Sequence, residues 1–238
     1  MALAPVVQRH REVASTMELA HQLAADGAAH GSAVIADRQI AGRGQRGRAW
    51  ASDLGGLWMS VVLRPVRVDA FEALSLRIGL ALATTLERAL PGLAAVGLKW
   101  PNDLLLRGRK VGGILTEARW VGAQCQWVVV GLGLNVTNIL PPELTTIATT
   151  LADEAAGAEV SALVAPVLAA VQQAGRSAGP LTASELDAFH ARDVLSGQPV
   201  REPVVGTAAG IAADGALLIR GPDGATVPCR GGVVPGHP

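Results

Sequence analysis

The chain has 238 residues, half of them hydrophobic, and its 20 basic side chains are balanced by 20 acidic ones, so the formal net charge at neutral pH is zero. That length and apolar content suffice for one large globular domain, with or without a small appendage, and for a substantial core. The charge balance excludes a general attraction of the whole molecule to nucleic acid or to an anionic membrane, so any anion site must be local.

The N-terminal MALAPVVQRHREV has no charged leader followed by an apolar run and a cleavage site, which argues against a secretory signal and for a cytoplasmic protein. Residues 15–31, STMELAHQLAADGAAHG, place Met17, Leu19, Ala20, Leu23 and Ala24 at helical spacing behind Ser15 and Thr16, either of which can cap. SAVIADRQ (32–39) reads as a strand. Gly42, Gly44 and Gly47 then break any regular pattern until LWMSVVLRP (57–65), a second strand stopped by Pro65. Residues 70–90 have a wide apolar face and a Pro91-Gly92 stop, the pattern of a mostly buried helix backing a sheet.

That sheet continues with strands over 95–100, 103–108, 110–120 and 124–136, and the Arg107-Gly108-Arg109 turn makes the middle pair a hairpin. After Pro141-Pro142 the pattern predicts helices over 149–157, 161–175 and 184–195, the second despite Pro166. From Gly197 onward the texture changes to short strands and glycine turns, with Asp214-Gly215 and Asp223-Gly224 as turn signals, which suggests a small β-barrel. WVVVGLGLNV (127–136) is among the longest hydrophobic stretches, and it is too short and too interrupted by glycine to span a bilayer. Cys125 and Cys229 form no paired motif, and His10, His21, His30, His190 and His237 have no metal-ligand spacing.

Lys99 and Lys110 are the only lysines among the 20 basic residues, the remaining eighteen being arginine. Where a generic cation suffices, this chain uses Arg. A position that needs a compact ammonium between crowded oxygens does not accept the wide planar guanidinium. Trp100-Pro101-Asn102-Asp103 follows Lys99 directly, and the hairpin can carry Lys110 back beside it, so that two cations and one carboxylate converge.

A second basic element is AGRGQRGRAW (41–50), where Arg43, Arg46 and Arg48 alternate with glycines. The glycines leave backbone N–H groups open to an anion, and the arginines add charge-assisted donors over a phosphate. A solvated loop and an RNA-binding segment are the alternative readings of the same pattern. There is no G-x-x-x-x-G-K-[ST] loop, and GLGLN (131–135) does not complete a dinucleotide fingerprint.

On these residues the chain resembles a biotin protein ligase of the short class. GRGQRGR is similar to that family's Gly-Arg ligand loop, KWPNDL to its nucleotide-site motif, KVGGIL with Glu117 to its reactive-centre strand, and GLGLN to the strand motif that follows. The resemblance covers most of the chain. It implies an α+β fold: a mixed-sheet catalytic domain of the biotin/lipoate ligase type with packed helices over residues 1–195, and a small SH3-like β-barrel over 196–238.

It also implies a two-step reaction in which biotin and MgATP give biotinyl-5′-AMP and pyrophosphate, after which a lysine of a biotin carboxyl carrier domain takes the biotinyl group. Attack of a carboxylate on the α-phosphorus brings anions together, so cations must screen the approach. The resemblance gives that work to Lys110, Lys99 and Arg46. Ser15, Thr16, Gln39, Arg43, Gly44, Gln45, Lys110, Gly113 and Gly131 would hold biotin. Arg46, Arg48, Trp50, Lys99, Asn102, Asp103 and Asn135 would hold ATP, with Asn102 and Asp103 also placing Mg²⁺.

Two residues depart from the family pattern, Gln45 where Arg is usual and Met17 where Asn often follows Ser-Thr. The ligand loop is expected to be mobile without ligand and ordered over the adenylate. Longer members carry a DNA-binding helix-turn-helix, for which too few residues precede Ser15, so no DNA partner is expected. A lipoate- or octanoate-attaching enzyme remains an alternative, and it would need a long apolar channel in place of a polar ureido pocket.

Overall fold

The computed structural model describes residues 4–64, 71–177, 179–202 and 204–230, the Glu72 side chain excepted. Pro65 and Ala70, expected to end a strand and begin a helix, lie outside the described residues, as do the last eight residues with His237.

Seven strands form one mixed sheet in the order β1-β2-β3-β7-β6-β5-β4. They are β1 (Val7–Val13), β2 (Ala33–Gln39), β3 (Leu57–Leu63), β4 (Gly97–Lys99), β5 (Asp103–Leu106), β6 (Arg109–Val121) and β7 (Gln124–Leu134). The sequence pattern does not announce β1, because VQRHREV is an edge strand with mostly exposed side chains. Its parallel pairing with β2, from Val7 opposite Ala33 to Val13 opposite Gln39, rests on backbone hydrogen bonds and not on side-chain burial.

The central strands are covered on both faces, which explains their continuous apolar runs. Leu57, Met59, Val61 and Leu63 of β3 join Val128, Val130, Leu132 and Leu134 of β7 in the large core, whereas Val62 and Val129 face the other way. On the large-core side lie α2 (Phe71–Ala89) and α4 (Val160–Ala174). On the other face α1 (Thr16–Ala25) packs Met17, Ala20 and Ala24 against Val34, Val62 and Val129. Each such fully buried Val, Leu or Met contributes roughly 1.5–3 kcal/mol. Helix α4 runs through Pro166 without interruption.

Two expected helices are shorter than their apolar patterns. Both start at reciprocal caps, Thr150 with Asp153 for α3 (Leu151–Glu154) and Thr182 with Glu185 for α5 (Ala183–His190). Helix α3 stops at the extended Ala155, before Gly157 at φ +76°. After α5 the chain turns, and Asp193 bridges the edge of β4 beside Leu98, where Leu98 N–H donates to Arg192 O and Val194 N–H to Leu98 O. Here the backbone pairs a sheet edge in preference to continuing a helix.

Residues after Gly197 form a four-stranded antiparallel sheet in the order β11-β10-β9-β8: β8 (Pro199–Val200), β9 (Gly206–Ile211), β10 (Leu217–Arg220) and β11 (Thr226–Cys229). Gly215 at φ +91° and Gly224 at φ +83° lie between its strands, at the expected turns. Val200, Ala208, Leu217, Ile219 and Cys229 belong to the same apolar cluster as α2 and the large sheet, so one core runs through both sheets.

Arg77 on α2 is buried and holds α5 in place. It donates to both carboxylate oxygens of Glu185 and to the carbonyls of Ser177, Gly179 and Pro180. Burial pushes the Glu185 carboxyl up, but bonds from Arg77 and Thr182 outweigh it and hold the group below its ordinary range. The pair's stabilisation is therefore present above the ordinary carboxylate range and is lost as pH falls through the lowered value. Arg77→Met strands Glu185 and should cost about 3 kcal/mol, read as a lower urea midpoint at unchanged slope.

Candidate active site

The two lysines are brought together by chain reversal. Lys99 ends β4 opposite Asp103, the first residue of β5. The chain passes between them through Trp100-Pro101, whose peptide bond is cis. Arg107 (φ +48°) and Gly108 (φ +80°) make the two-residue turn from β5 into β6, which sets Lys110 opposite Leu105. Lys110 Nζ then lies 2.6 Å from Asp103 Oδ1. Lys99 is buried, and its pKa is lowered first by desolvation and further by repulsion from Lys110 and Arg48, with Asp103 acting in the opposite direction.

Beside this cluster is a cavity of about 320 Å³. Its wall includes Thr16, Gln39, Arg43, Gly44, Gln45, Arg48, Trp50, Asn102, Lys110, Gly113, Gly131 and Asn135. Of the other expected site residues, Lys99 and Asp103 are not part of the wall, Asp103 holding Lys110 and Lys99 lying close enough to feel its charge. Arg46, expected at both the catalytic and nucleotide positions, is exposed at φ +57° in a 3₁₀ turn (Gln45–Gly47) and stands off the cavity. Ser15 is buried at the head of α1, and its hydroxyl has no hydrogen-bond partner among the described residues.

Ser15 occupies the cap position of α1 without capping it. Gln39 does that work from across the sheet: its Oε1 accepts from Thr16 N–H at 2.8 Å and from Thr16 Oγ1 at 3.0 Å. The Thr16 proton is thus committed to Gln39, so Ser60 Oγ, 2.8 Å away, is the donor to Thr16. Gln39 Nε2 donates in turn to Ser52 Oγ at 2.9 Å. This end of the cavity is a polar network locked in one arrangement, facing the apolar wall made by Met17, Leu115 and Leu132.

Between the polar end and the cations the floor is glycine. Gly113 and Gly133 are cross-strand partners on β6 and β7, and Gly131 lies two residues before Gly133 on the same face. A Cβ at Gly131 would meet Met17 Sδ at 2.6 Å, and one at Gly133 would meet Trp50 Nε1 at 2.6 Å. The bare floor therefore seats Met17 and the Trp50 ring, which carries Lys110 Nζ 4.9 Å from its centroid. The buried Trp50 Nε1 has no partner among the described residues.

The loop above is tied at its near end, where Arg43 reaches Glu18 of α1 at 3.8 Å. Trp127 Nε1 donates to His21 Nδ1, so His21 carries its proton on Nε2 and donates it to Glu117 Oε2. That bond, helped by Arg43 and against desolvation, holds the Glu117 carboxyl below its usual range. Asn102 and Asn135 bracket the strands: Asn102 Nδ2 donates to Ile114 O at 2.6 Å and Asn135 Nδ2 to Thr149 O at 3.2 Å.

Sequence reasoning missed Ser52, Ser60, Gly133 and the segment carrying Leu140, Leu144, Ile147 and Ala148, which closes the cavity. Ser60 had a signal, a lone hydroxyl within the buried run of β3. No group of three or more His, Cys, Asp or Glu that could hold a metal occurs among the described residues, and Cys125 is a free thiol. The arrangement suits an elongated ligand with a polar head, an apolar body and an anionic end.

A polar head pocket, a glycine floor and two lysines brought near one end, on a mixed sheet, form one elongated site, and the family comparison gives that arrangement its class. Residues 10–135 match the biotin/lipoate A/B protein ligase family and residues 196–234 the biotin protein ligase C terminal domain, so the chain belongs to that family. It is 38% identical over 205 residues to the biotin--[acetyl-CoA-carboxylase] ligase of Mycobacterium tuberculosis, covering 79% of this chain and 73% of that protein. It is 40% identical over 156 residues to the bifunctional ligase/repressor BirA of Bacillus subtilis, covering 63% of this chain and 47% of that protein, about half of its length. Among solved structures, biotin protein ligase from Aquifex aeolicus in complex with biotin and ATP matches with a TM-score of 0.78 at 28% identity, over 93% of this chain and 95% of that one.

Proposed function

We propose that the protein activates biotin with ATP and transfers it to a carrier lysine. The biotin carboxylate oxygen attacks the α-phosphorus of ATP, pyrophosphate leaves, and biotinyl-5′-AMP remains. A lysine amine of a biotin carboxyl carrier domain then attacks the acyl carbon, an amide forms, AMP leaves and the amine gives up a proton. The observation that carries this reading is Lys110: an ammonium on the cavity wall, held by Asp103 and the Trp50 face, beside a second buried ammonium. A point charge there stays within reach of the oxygens as carboxylate and phosphate become adenylate.

The polar end with Thr16 and Gln39 supports a ureido ring, with Ser15 behind it and Met17 against the apolar part. Arg43, Gly44 and Gln45 would cover the biotin, and Gly113 and Gly131 would let it approach the sheet. Trp50, Arg48 and Asn135 line the end assigned to the nucleotide, with Lys99 near Lys110, and Arg46 would join them when the loop closes. Asn102 and Asp103 fit Mg²⁺: the Asn102 amide nitrogen is bonded to Ile114 and one Asp103 oxygen to Lys110, which leaves one oxygen on each side chain. Few protein oxygens supplemented by phosphate oxygens is the habit of this ion, which when bound would draw charge from the ATP phosphates.

We divide the chain into a catalytic part, residues 1–195, and a C-terminal part, 196–238. No helix among the described residues is long and apolar enough to cross a membrane. The free thiol of Cys125 and the use of ATP suit the cytoplasm.

The test is exchange of pyrophosphate into ATP by the native protein, with biotin or lipoate as the acid. Exchange with biotin supports the reading, whereas exchange with lipoate alone overturns it in favour of the lipoate-attaching alternative. Closure of the loop is a separate expectation: amide hydrogen exchange over residues 42–50 should slow when biotinyl-5′-AMP is added, and equal protection with and without it refutes closure.

A further inference from the structure

We propose that the β9–β10 turn of the C-terminal sheet positions the nucleotide end of the site, acting through the indole N–H of Trp100. Trp100 stands between Lys99 and Asn102-Asp103, is 1% exposed, and donates from Nε1 to Gly215 O at 2.9 Å. The inference rests on the functional reading above for what binds there, but the contact itself does not.

The acceptor is held still. Gly215 N–H donates to Ala212 O at 2.9 Å, Ala212 N–H to Ala216 O at 2.9 Å, and Ala216 N–H to Asp214 Oδ1 at 3.1 Å. Arg230 from the end of β11 grips the other Asp214 oxygen, and Leu181 N–H donates to Ala213 O at 2.7 Å. On its inner side the Lys99–Asp103 turn is pinned to β6 by the two bonds between Asn102 and Ile114. On its outer side Trp100 meets the C-terminal turn, and residues 192–194 bridge β4 at Leu98.

The segment that presents a buried ammonium and the Lys110-binding carboxylate is therefore clamped from both sides. The outer clamp belongs to a part of the chain more than a hundred residues away. A buried indole N–H without its acceptor is unfavourable, so movement of the turn and of Trp100 is coupled. The 2.6 Å Lys110–Asp103 contact leaves little room for a shift, and displacements of about 1 Å at a reacting centre cost up to roughly a hundredfold in rate.

The experiment uses the whole chain. Trp100→Phe keeps an aromatic ring and removes the donor, and Arg230→Gln loosens the turn from its exposed side without touching the catalytic sheet. Affinity for ATP and for biotin is measured separately by calorimetry, together with the thermal midpoint and the KM and kcat of pyrophosphate exchange. Trp100→Phe should weaken ATP binding or slow exchange about five- to twentyfold, and Arg230→Gln about two- to fivefold, with biotin affinity unchanged within about twofold.

Equal loss of biotin and ATP affinity tracking the thermal midpoint would mean a structural contact only, and no change in ATP affinity or exchange would also overturn the proposal. If Trp100→Phe does not fold, Arg230→Gln decides it alone. If the native protein shows no biotin-dependent exchange, the functional reading has failed, and the positioning claim is judged on ATP affinity.

Discussion

Lys110→Ala is expected to lower biotin-dependent exchange of pyrophosphate into ATP by about 10²–10³-fold, the usual loss when one preorganised charge aimed at a developing anion is removed. Stability should change little, because the Lys110–Asp103 pair is partly exposed, at 26% and 21% for the two side chains. A pair of that kind contributes no more than about 1 kcal/mol. Lys110→Arg is the sharper variant. It retains the charge, yet its planar fork has to fit between Asp103 and the Trp50 face, where a compact ammonium now sits. Arginine should therefore restore less than about a tenth of the native rate. Full activity in Lys110→Arg would show that any cation suffices there, and the scarcity of lysine in the chain would lose its functional meaning.

The sequence made this pair visible because the signal is local: a two-residue turn at Arg107-Gly108 dictates a hairpin, and the hairpin dictates where Lys110 goes. The central strands β3 and β7 were legible for the same reason, their continuous apolar runs reporting burial on both faces residue by residue. What stayed hidden depends on partners distant in the chain. Strand β1 is held by its neighbour's backbone and carries charged side chains at the sheet edge. Ser15 looks like a helix cap, and the cap is supplied by Gln39, 23 residues from Thr16.

Gly133 read as part of a glycine-rich strand motif, and only the seating of Trp50 on it gives the residue a purpose. Helix α5 ends earlier than its apolar pattern because pairing with β4 claims the backbone beyond it, and α3 ends early at the extended Ala155. The Trp100–Gly215 contact, 115 residues apart in sequence, has no local signature at all.

Lys99→Met is expected to separate stability from activity. The pKa of Lys99 is lowered, first by burial, then by Lys110 and Arg48, with the Asp103 contribution too small to restore it. A base whose folded pKa lies below its unfolded value of 10.5 binds its proton less tightly in the folded state. Between the two values the unfolded chain holds more protons, so stability rises with pH through that window, and below it the whole cost of the buried charge is present. Methionine fills a similar volume without the charge and should leave the thermal midpoint equal or higher. Exchange of pyrophosphate into ATP should nonetheless fall by about a hundredfold or more, since that charge is what would meet the phosphates.

The same reasoning gives the native protein a pH signature. Bound phosphate oxygens favour the ammonium form of Lys99, so ATP binding in the window between its lowered pKa and 10.5 should take up a proton, and that uptake should vanish in Lys99→Met. A variant that melts earlier and retains native exchange would refute the assignment, because the charge would then serve the fold and not the substrate.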